Sequence, residues 1–272
     1  MRTRLDVYLA EQNLCKSREQ ARALIMAGQV YINGVKAEKA GQPLPQGAEV
    51  VVKENPLPFV SRGGLKLQKA LEEFPISLEG VVAADIGAST GGFTDCMLQH
   101  GARRVFAVDV GYGQLDWRLR NDPRVTVMER TNARYMEPGW FGGQGLDFAC
   151  VDVSFISLEK ILPPLLPCLA GGGQVVALVK PQFEAGREHV GKHGVVSDPD
   201  VHKLVCARVV DFAKKTGYQT LGLSFSPIKG PKGNIEFLLW LGNFLPETQD
   251  VVVLEGNHVA DVVYRAHIAC IS

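Results

Sequence analysis

From residue 81 onward, short apolar runs alternate with segments of helical character. This alternation predicts an α/β doubly wound fold, because the crossovers that join parallel strands of one sheet are usually helices. We expect a Rossmann-like, seven-stranded sheet, because seven such runs occur. They lie near residues 81–86, 104–109, 125–129, 146–153, 174–180, 219–225 and 235–241.

The N-terminal segment has a different pattern and predicts a small α+β domain. A capping box at 17–20 (Ser-Arg-Glu-Gln) opens the second of two short helices, and an Asn-Gly dipeptide at 33–34 marks a hairpin turn. The next segment carries two prolines, which is typical of a linker. The predicted organisation is a domain at 1–53, a linker at 54–60 and a second domain at 61–272.

Charge is unevenly distributed along the chain. The formal net charge is zero, which excludes a globally basic nucleic-acid binder. Residues 1–53, however, contain eight Lys and Arg against five Asp and Glu, a net charge of +3. Such clustering in a small domain favours RNA binding over an ordinary solvated surface. The candidate RNA-binding residues lie on or near its helices and are Arg2, Arg4, Lys16, Arg18 and Arg22.

Four charged residues lie in or beside apolar runs, namely Lys66, Asp152, Lys180 and Glu236. An unpaired charge in a protein interior costs roughly several kcal/mol, so such residues usually pair with one another or line a functional site. Structural ion pairs between strands are the alternative interpretation. Lys69 lies on the same predicted helix as Lys66 and could be confused with it.

The apolar strand at 81–86 runs into a glycine-rich turn and then into a helix. Such a turn would let a ligand approach the backbone at the carboxyl end of the strand. The spacing is not the GxGxxG of dinucleotide-binding enzymes, because Gly87 is followed by Gly91 and Gly92 with Ser89 between them. It resembles the loop of S-adenosylmethionine-dependent methyltransferases, with a serine in place of the middle glycine. A tight turn without a ligand is the alternative.

This resemblance implies a contact for each part of the cofactor. Asp85 would balance the ammonium of its methionine end, directly or through water, and Asp109 would accept hydrogen bonds from its ribose diol. A dinucleotide-binding enzyme would share the second acid. Asn132 would contact the adenine ring, although a turn asparagine is an equally good interpretation. The implied cofactor-binding residues are Asp85, Gly87, Ala88, Ser89, Gly91, Gly92, Phe93, Asp109, Asn132 and Asp152.

The order Lys-Asp-Lys-Glu resembles that of ribose 2′-O-methyltransferases of the FtsJ type. It implies that Lys180 stabilises the alkoxide developing on a ribose 2′-hydroxyl or, if neutral, accepts its proton. Asp152 and Glu236 would position this lysine, and Lys66 would contact the ribose or a phosphate. The segment 152–155 (Asp-Val-Ser-Phe) lacks the prolines that amino-group methyltransferases usually carry there. Methylation of a base amino group therefore loses support.

The whole chain resembles the TlyA family, in which an S4-type RNA-binding domain precedes an FtsJ-like methyltransferase domain. The segments that carry the resemblance are 61–66 (Ser-Arg-Gly-Gly-Leu-Lys), 85–93 (Asp-Ile-Gly-Ala-Ser-Thr-Gly-Gly-Phe) and 180–184 (Lys-Pro-Gln-Phe-Glu). It implies 2′-O-methylation of cytidine in ribosomal RNA, with ribosomal RNA or ribosomal subunits as partners. Two other functions stay open: an RNA-binding ribosome-assembly protein without catalysis, and a membrane-lytic hemolysin.

Other patterns argue against disulfides, metals and membranes. The six cysteines form no CxxC pair, which is typical of reduced thiols in a cytoplasmic protein. His189 and His193 lack an evident third ligand, so the glycine-rich stretch 182–196 predicts a basic loop that contacts RNA, not a metal site. No signal peptide is predicted. In the uncharged stretch 161–179, prolines and glycines predict a helix end, a turn and a buried strand instead of a membrane span.

Overall fold

Two units make up the fold, Met1–Pro58 and Phe59–Ser272. The computed structural model describes residues 3–12, 14–15, 17–26, 28–53, 57–230, 232–244 and 256–271. Two of the candidate RNA-binding residues, Arg2 and Lys16, lie outside the described residues.

The first unit combines two helices with a small antiparallel sheet. The hydroxyl of Ser17 accepts a hydrogen bond from the backbone N–H of Gln20 at 3.2 Å, which confirms the predicted helix cap. Apolar side chains that include Leu5, Leu9 and Ile25 form one shared core. The sheet order is β2-β1-β3, with both pairs antiparallel. The elements are α1 (Leu5–Glu11), α2 (Arg18–Met26), β1 (Val30–Ile32), β2 (Val35–Lys36) and β3 (Val50–Val52).

A seven-stranded sheet organises the second unit and confirms the predicted α/β fold. The strands are β4 (Val82–Ile86), β5 (Arg104–Val108), β6 (Val125–Met128), β7 (Leu146–Val151), β8 (Leu169–Val179), β9 (Gln219–Phe225) and β10 (Phe237–Gly242). Their order is β6-β5-β4-β7-β8-β10-β9. The first five in this order pair in parallel, whereas β10 is antiparallel to both β8 and β9.

Helices cover both faces of this sheet. They are α3 (Gly63–Glu73), α4 (Gly92–Gln99), α5 (Trp117–Arg120), α6 (Leu162–Leu165), α7 (Pro181–Glu184), α8 (Pro199–Thr216) and α9 (Gly256–Ile271). Neighbouring strand residues such as Ala83 and Ala84 belong to two separate apolar clusters, as expected when side chains alternate between faces. One cluster contains Leu67 of α3, and the other contains Val205 of α8 and Val262 of α9.

The winding of the sheet changes direction at β4. Because β5 lies on one side of β4 and β7 on the other, this strand stands at the topological switch point where α/β proteins bind ligands. The loops after β4, β7 and β8 start at Gly87, Asp152 and Lys180. All three strands are parallel, so these loops emerge at the same edge of the sheet.

Strand β8 is longer than the sequence predicts. The three glycines at 171–173 predict a turn before residue 174, but the strand begins at Leu169 and runs through all of them. A Cβ on Gly173 would lie only 2.6 Å from the carbonyl oxygen of Leu146, so glycine here permits a close and irregular pairing with β7. In the part of the chain that the structure describes, no helix is both long and apolar enough to cross a membrane.

Candidate active site

Four charged side chains converge at the carboxyl edge of the sheet: Lys66 from α3, Asp152 after β7, Lys180 after β8 and Glu236 just before β10. Lys66 Nζ lies 2.7 Å from Glu236 Oε2 and 3.2 Å from Asp152 Oδ2. Lys180 Nζ lies 2.5 Å from Asp152 Oδ1. The structure thus brings together all four residues of the predicted cluster, as a continuous series of ion pairs with alternating charge.

Lys69, the alternative to Lys66, points elsewhere. Its Nζ pairs with Glu73 Oε1 at 3.0 Å and lies 4.3 Å from the centroid of the Phe225 ring. Lys66 is therefore the lysine that α3 contributes to the cluster.

Burial strengthens the ion pairs of the cluster. Lys66, Lys180 and Glu236 are 8%, 6% and 1% exposed. Burial alone lowers the pKa of Lys66, but the charges of Asp152 and Glu236 outweigh it, and the pKa is raised. Burial likewise opposes ionisation of Asp152, yet the charges of the two lysines lower its pKa. Lys66 and Asp152 are therefore held in their charged forms at neutral pH.

Two residues beside the cluster were not predicted from the sequence. Ser154 Oγ accepts a hydrogen bond from Lys180 Nζ at 3.1 Å. Phe155 is 91% exposed, and its ring centroid lies 5.1 Å from that of Phe183. Both residues follow Asp152 in sequence. The apolar pattern of this segment does not indicate that the chain leaves the strand after Asp152 and turns toward Lys180.

The glycine-rich loop packs directly against the charged cluster. Gly87 has φ 89°, and a Cβ on it would lie 2.7 Å from the backbone oxygen of Asp152. Gly91 has φ 94°, and a Cβ there would lie 2.3 Å from the Leu119 side chain. Only glycine therefore fits these two positions without strain. The loop lies at the switch point of the sheet, where Ser89 and Thr90 are exposed.

Asp85 is buried beneath this loop. It is 1% exposed, and its Oδ2 accepts hydrogen bonds from Thr94 N at 2.8 Å and from Thr94 Oγ1 at 2.7 Å. Burial raises its pKa to about 6, although the bonds from Thr94 favour the charged form. Asp85 thus fastens the first turn of α4 beneath the loop. Its predicted contact with the cofactor ammonium stays a prediction.

Asp109 joins the glycine-rich loop to the loop after β5. Its Oδ2 accepts a hydrogen bond from Ser89 N at 2.8 Å, and its Oδ1 accepts one from Gly111 N at 2.6 Å. Ser89 has φ 50°, a strained value for a serine, so Asp109 helps to hold the loop in shape. A small cavity between the two loops is lined by Ala88, Ser89, Asp109 and Gly111. The predicted contacts of Ala88, Ser89 and Asp109 with the cofactor stay predictions.

The remaining predicted cofactor residues lie around this loop. Gly92 begins α4, and a Cβ on it would lie 2.3 Å from Ser61 Oγ. Phe93 is 3% exposed and belongs to the apolar core. Asn132 is exposed, and its side chain accepts a hydrogen bond from Arg134 N at 3.1 Å, which caps a 3₁₀ turn. The predicted roles of Phe93 and Asn132 in cofactor binding stay predictions.

In the first unit, three arginines surround one buried carboxylate. Asp6 is fully buried. Its carboxylate oxygens lie 2.9 Å from Arg4 Nε, 3.2 Å from Arg18 Nη2 and 3.5 Å from Arg22 Nε. A hydrogen bond from Arg4 is the main cause that holds the pKa of Asp6 well below its usual range. The three arginine side chains are about half exposed, so they present positive charge to solvent.

The glycine-rich stretch 182–196 is fastened to the loop before β10. Asn234, which is 2% exposed, donates a hydrogen bond to Gly194 O at 2.9 Å and accepts one from Val196 N at 3.0 Å. His189 lies in a 3₁₀ turn instead of an α-helix. Within the described ranges, no three His, Cys, Asp or Glu side chains lie close enough together to hold a metal ion.

Sequence comparisons identify both units. Residues 59–243 match the FtsJ-like methyltransferases, and residues 3–50 match the S4 domain. The chain is 45% identical over 266 residues to the 16S/23S rRNA (cytidine-2′-O)-methyltransferase TlyA of Mycobacterium tuberculosis, with 97% of each protein covered. It is 42% identical over 235 residues to hemolysin A of Brachyspira hyodysenteriae, which covers 86% of this chain and 98% of that protein.

A solved structure agrees with these sequence matches. A protein from Streptococcus thermophilus, provisionally named a hemolysin, has 49% sequence identity and a TM-score of 0.75. The comparison covers 98% of this chain and 96% of that chain. The chain therefore belongs to the TlyA family, in which an S4 domain is joined to an FtsJ-like methyltransferase domain.

Proposed function

We propose that this protein transfers a methyl group from S-adenosylmethionine to a ribose 2′-hydroxyl of ribosomal RNA, at a cytidine. The observation that carries the proposal is the position of Lys180. Its ammonium contacts Asp152 at 2.5 Å and Ser154 at 3.1 Å, and Gly87 packs against the backbone of Asp152. A buried cation thus stands beside the loop that would hold the methyl donor. The name of the Mycobacterium tuberculosis relative supports both the cytidine and the ribosomal RNA.

The chemistry requires a group that makes the ribose hydroxyl a better nucleophile. Bound S-adenosylmethionine supplies an electrophilic methyl group. The ribose oxygen would form a bond to this methyl carbon as the carbon–sulfur bond breaks with its electron pair left on sulfur. The hydroxyl proton would pass to the amine of Lys180 if that amine is neutral, or to water if it is charged. An ammonium that donates a hydrogen bond to this oxygen stabilises the negative charge that develops on it. Much of the rate would come from holding oxygen, carbon and sulfur in line.

The residues of the cluster divide this work. Lys180 is the group that would contact the hydroxyl oxygen. Asp152 and Ser154 take two of the three N–H directions of its ammonium, which leaves the third for a substrate hydroxyl. Asp152 holds Lys180 in place. Lys66 neutralises the second oxygen of Asp152 and is itself neutralised by Glu236. Lys66 would also offer a supporting contact to the ribose or a phosphate.

The loops around the sheet edge would hold the cofactor. The carboxylate of Asp109, which already accepts one backbone hydrogen bond on each oxygen, has further lone pairs for a ribose diol. Asp85, beneath the loop, would balance the positive charge of the ammonium at the methionine end of the cofactor. Ala88, Ser89 and Gly111 line the cavity beside Asp109, and Asn132 would contact the adenine.

Positive charge is available for the RNA backbone in each unit. In the S4 unit it comes from the arginines around Asp6. In the methyltransferase unit, exposed basic side chains lie on the loops next to the cluster, and Arg62 donates a hydrogen bond to Lys229 O at 3.2 Å. These loop residues are Arg62, Arg187, Lys192, Lys229 and Lys232. A ribosomal substrate would also place the protein in the cytoplasm.

The test is transfer of labelled methyl groups from S-adenosylmethionine to ribosomes and separate subunits that lack the modification. We expect label at one ribose, recognised by resistance of the next phosphodiester to alkali. Lys180→Ala should lose this label but still bind the cofactor. Lys203→Ala is the matched control, because Lys203 is 43% exposed and pairs with Asp200 on α8.

Two outcomes would contradict the proposal, the first in its mechanism and the second in its reaction. Equal labelling by Lys180→Ala would remove this lysine from the mechanism. Cofactor binding without label on any ribosomal substrate would favour the assembly protein without catalysis.

The relatives named hemolysins justify a parallel assay of dye release from liposomes. Release that is unaffected by the cofactor would favour a lytic function.

A further inference from the structure

The loops that carry Asp152 and Lys180 are joined at a second place, away from the charged cluster. Glu184, at the end of α7, accepts a hydrogen bond on Oε1 from Leu158 N at 2.8 Å and one on Oε2 from Ser157 Oγ at 2.8 Å. Its carboxylate therefore ties the chain that follows Lys180 to the chain that follows Asp152. Glu184 is only 4% exposed, so it is a buried connection.

The segment between Asp152 and Ser157 needs such a connection, because its backbone is strained. Phe155 has φ 63°, in the left-handed region that non-glycine residues rarely adopt. This conformation costs roughly 1 to 3 kcal/mol and persists only where the surroundings enforce it. The turn at Phe155 directs Ser154 onto Lys180, while Glu184 holds the next part of the chain.

Arg208 of α8 supports the same connection from the other side. Its guanidinium donates a hydrogen bond to the backbone oxygen of Glu184 and lies 3.7 Å from Glu184 Oε2. Arg208 Nε also lies 3.8 Å from Glu159 Oε1, one residue beyond Leu158. The carboxylate of Glu184 is thus paired in charge and hydrogen-bonded on both oxygens, as a buried carboxylate must be.

We propose that Glu184 is a positioning residue for methyl transfer: it fixes the loop at 153–158 so that Asp152 and Ser154 stay in contact with Lys180. The inference rests on the proposed function, because it assigns Glu184 a part in placing Lys180. Glu184 does not touch the reacting atoms. Its effect would pass through Ser157 and Leu158 to the strained turn, and from there to the ammonium of Lys180.

The test measures kcat, KM for the RNA, Kd for the cofactor and the melting temperature of four variants. Glu184→Ala should lower kcat by about 30- to 100-fold, since displacements near 1 Å cost about 10²-fold in rate. Its Kd for the cofactor should not change. Glu184→Gln should recover most of kcat, because an amide can accept from Leu158 N and donate to the Ser157 hydroxyl. Ser157→Ala should lower kcat alone but add nothing to Glu184→Ala.

A purely structural role gives a different result. A lower melting temperature with normal kcat, measured well below that temperature, would overturn the inference. So would equal loss of kcat in Glu184→Gln and Glu184→Ala, or full additivity of Ser157→Ala with Glu184→Ala. If Glu184→Ala does not fold, Glu184→Asp replaces it. Its shorter side chain cannot reach both donors, so normal kcat in Glu184→Asp would contradict the inference.

Lys180→Ala, assayed in parallel, separates the two proposals. If Lys180→Ala is inactive and Glu184→Ala has normal kcat, only the role of Glu184 is wrong. If Lys180→Ala is fully active, the proposed role of Lys180 is wrong, and so is the role of Glu184 in placing it. If wild type transfers no label to any ribosomal substrate, the proposed function itself is wrong.

Discussion

Lys66 and Glu236 form a buried ion pair although 170 residues separate them in sequence, with Nζ 2.7 Å from Oε2. Lys66 also contacts Asp152, which in turn contacts Lys180. Each charge in this series is compensated by a neighbour. Removing one member would therefore leave another buried charge without its partner, and the cost would appear in stability as well as in activity.

We expect Glu236→Ala to lower the free energy of unfolding by about 3 kcal/mol, because it leaves Lys66 buried with one carboxylate instead of two. The double variant Lys66→Met with Glu236→Gln should recover part of this loss, since it removes both charges. Urea denaturation measures the difference. Lys215→Ala is the control: Lys215 and its partner Asp211 are 74% and 61% exposed, so its effect should stay within about 0.5 kcal/mol. Equal stability of Glu236→Ala and wild type would contradict the prediction.

Phe155→Ala should raise KM for the RNA by about 10-fold or more. An exposed aromatic ring beside Lys180 suits stacking against an unpaired base, a contact worth about 1 to 3 kcal/mol. Phe155→Trp should retain activity, and Kd for the cofactor should stay unchanged in both variants. Tyr264→Ala, which removes a 65% exposed ring on α9, is the control. A normal KM in Phe155→Ala would show that the ring does not contact the substrate.

The affinity for S-adenosylhomocysteine should weaken as the pH falls through about 6. Burial raises the pKa of Asp85 to about 6, and protonation removes the charge that would balance the ammonium of the ligand. Below that pH, the affinity for S-adenosylhomocysteine should fall by about 10-fold for each further decrease of one pH unit. Titration calorimetry between pH 5 and 8 measures the effect. Asp85→Asn should bind weakly at every pH in this range, and a wild-type slope in this variant would exclude Asp85 as the titrating group.

The raised pKa of Asp85 also affects the stability of the fold. A carboxyl whose pKa is higher in the folded protein than in the unfolded chain stabilises the fold below its unfolded pKa of 3.8. This contribution declines as the pH rises to about 6, by about 2 to 3 kcal/mol in all. As the pH rises between these two values, the free energy of unfolding of wild type should therefore fall relative to that of Asp85→Asn. Urea denaturation measures the free energy of unfolding of both proteins across this pH range. If the two free energies change in parallel with pH, the prediction is wrong.

Arg22→Ala should weaken RNA binding and reduce the dependence of log Kd on log salt by about one unit, as expected for the loss of one phosphate contact. Arg22 is the most distant of the three arginines from Asp6, at 3.5 Å, so its replacement disturbs the buried carboxylate least. Arg265→Ala, on α9 and paired with Asp261, should leave the salt dependence unchanged. Equal slopes in the two variants would contradict a phosphate contact at Arg22.

The sequence predicted the strands of the second unit and the four charged residues, because both depend on local pattern. Apolar runs mark buried strands, and a charge such as Asp152 at the end of a run marks a site. The length of β8 was not predicted, because glycines favour turns in isolation, and only the close approach of Leu146 shows why Gly173 lies within a strand.

Two further features needed the tertiary structure. In the sequence, Asp6 is one of the acids that reduce the net positive charge of the N-terminal segment. In the folded structure, its carboxylate forms ion pairs with three arginines. Ser154 reaches Lys180 only because the backbone at Phe155 adopts a left-handed conformation. Neither contact follows from spacing, since each depends on how distant segments approach one another.

The antiparallel insertion of β10 between β8 and β9 ties the assembly of the cluster to the order of synthesis. Lys66 and the glycine-rich loop leave the ribosome long before Glu236, so a nascent chain that ends before β9 has the parts of a cofactor site but an incompletely neutralised lysine. The segment that leads into β10 brings the missing carboxylate. A truncated chain is therefore expected to bind the methyl donor poorly or unstably, and competence for transfer would follow only after β10 has joined the sheet.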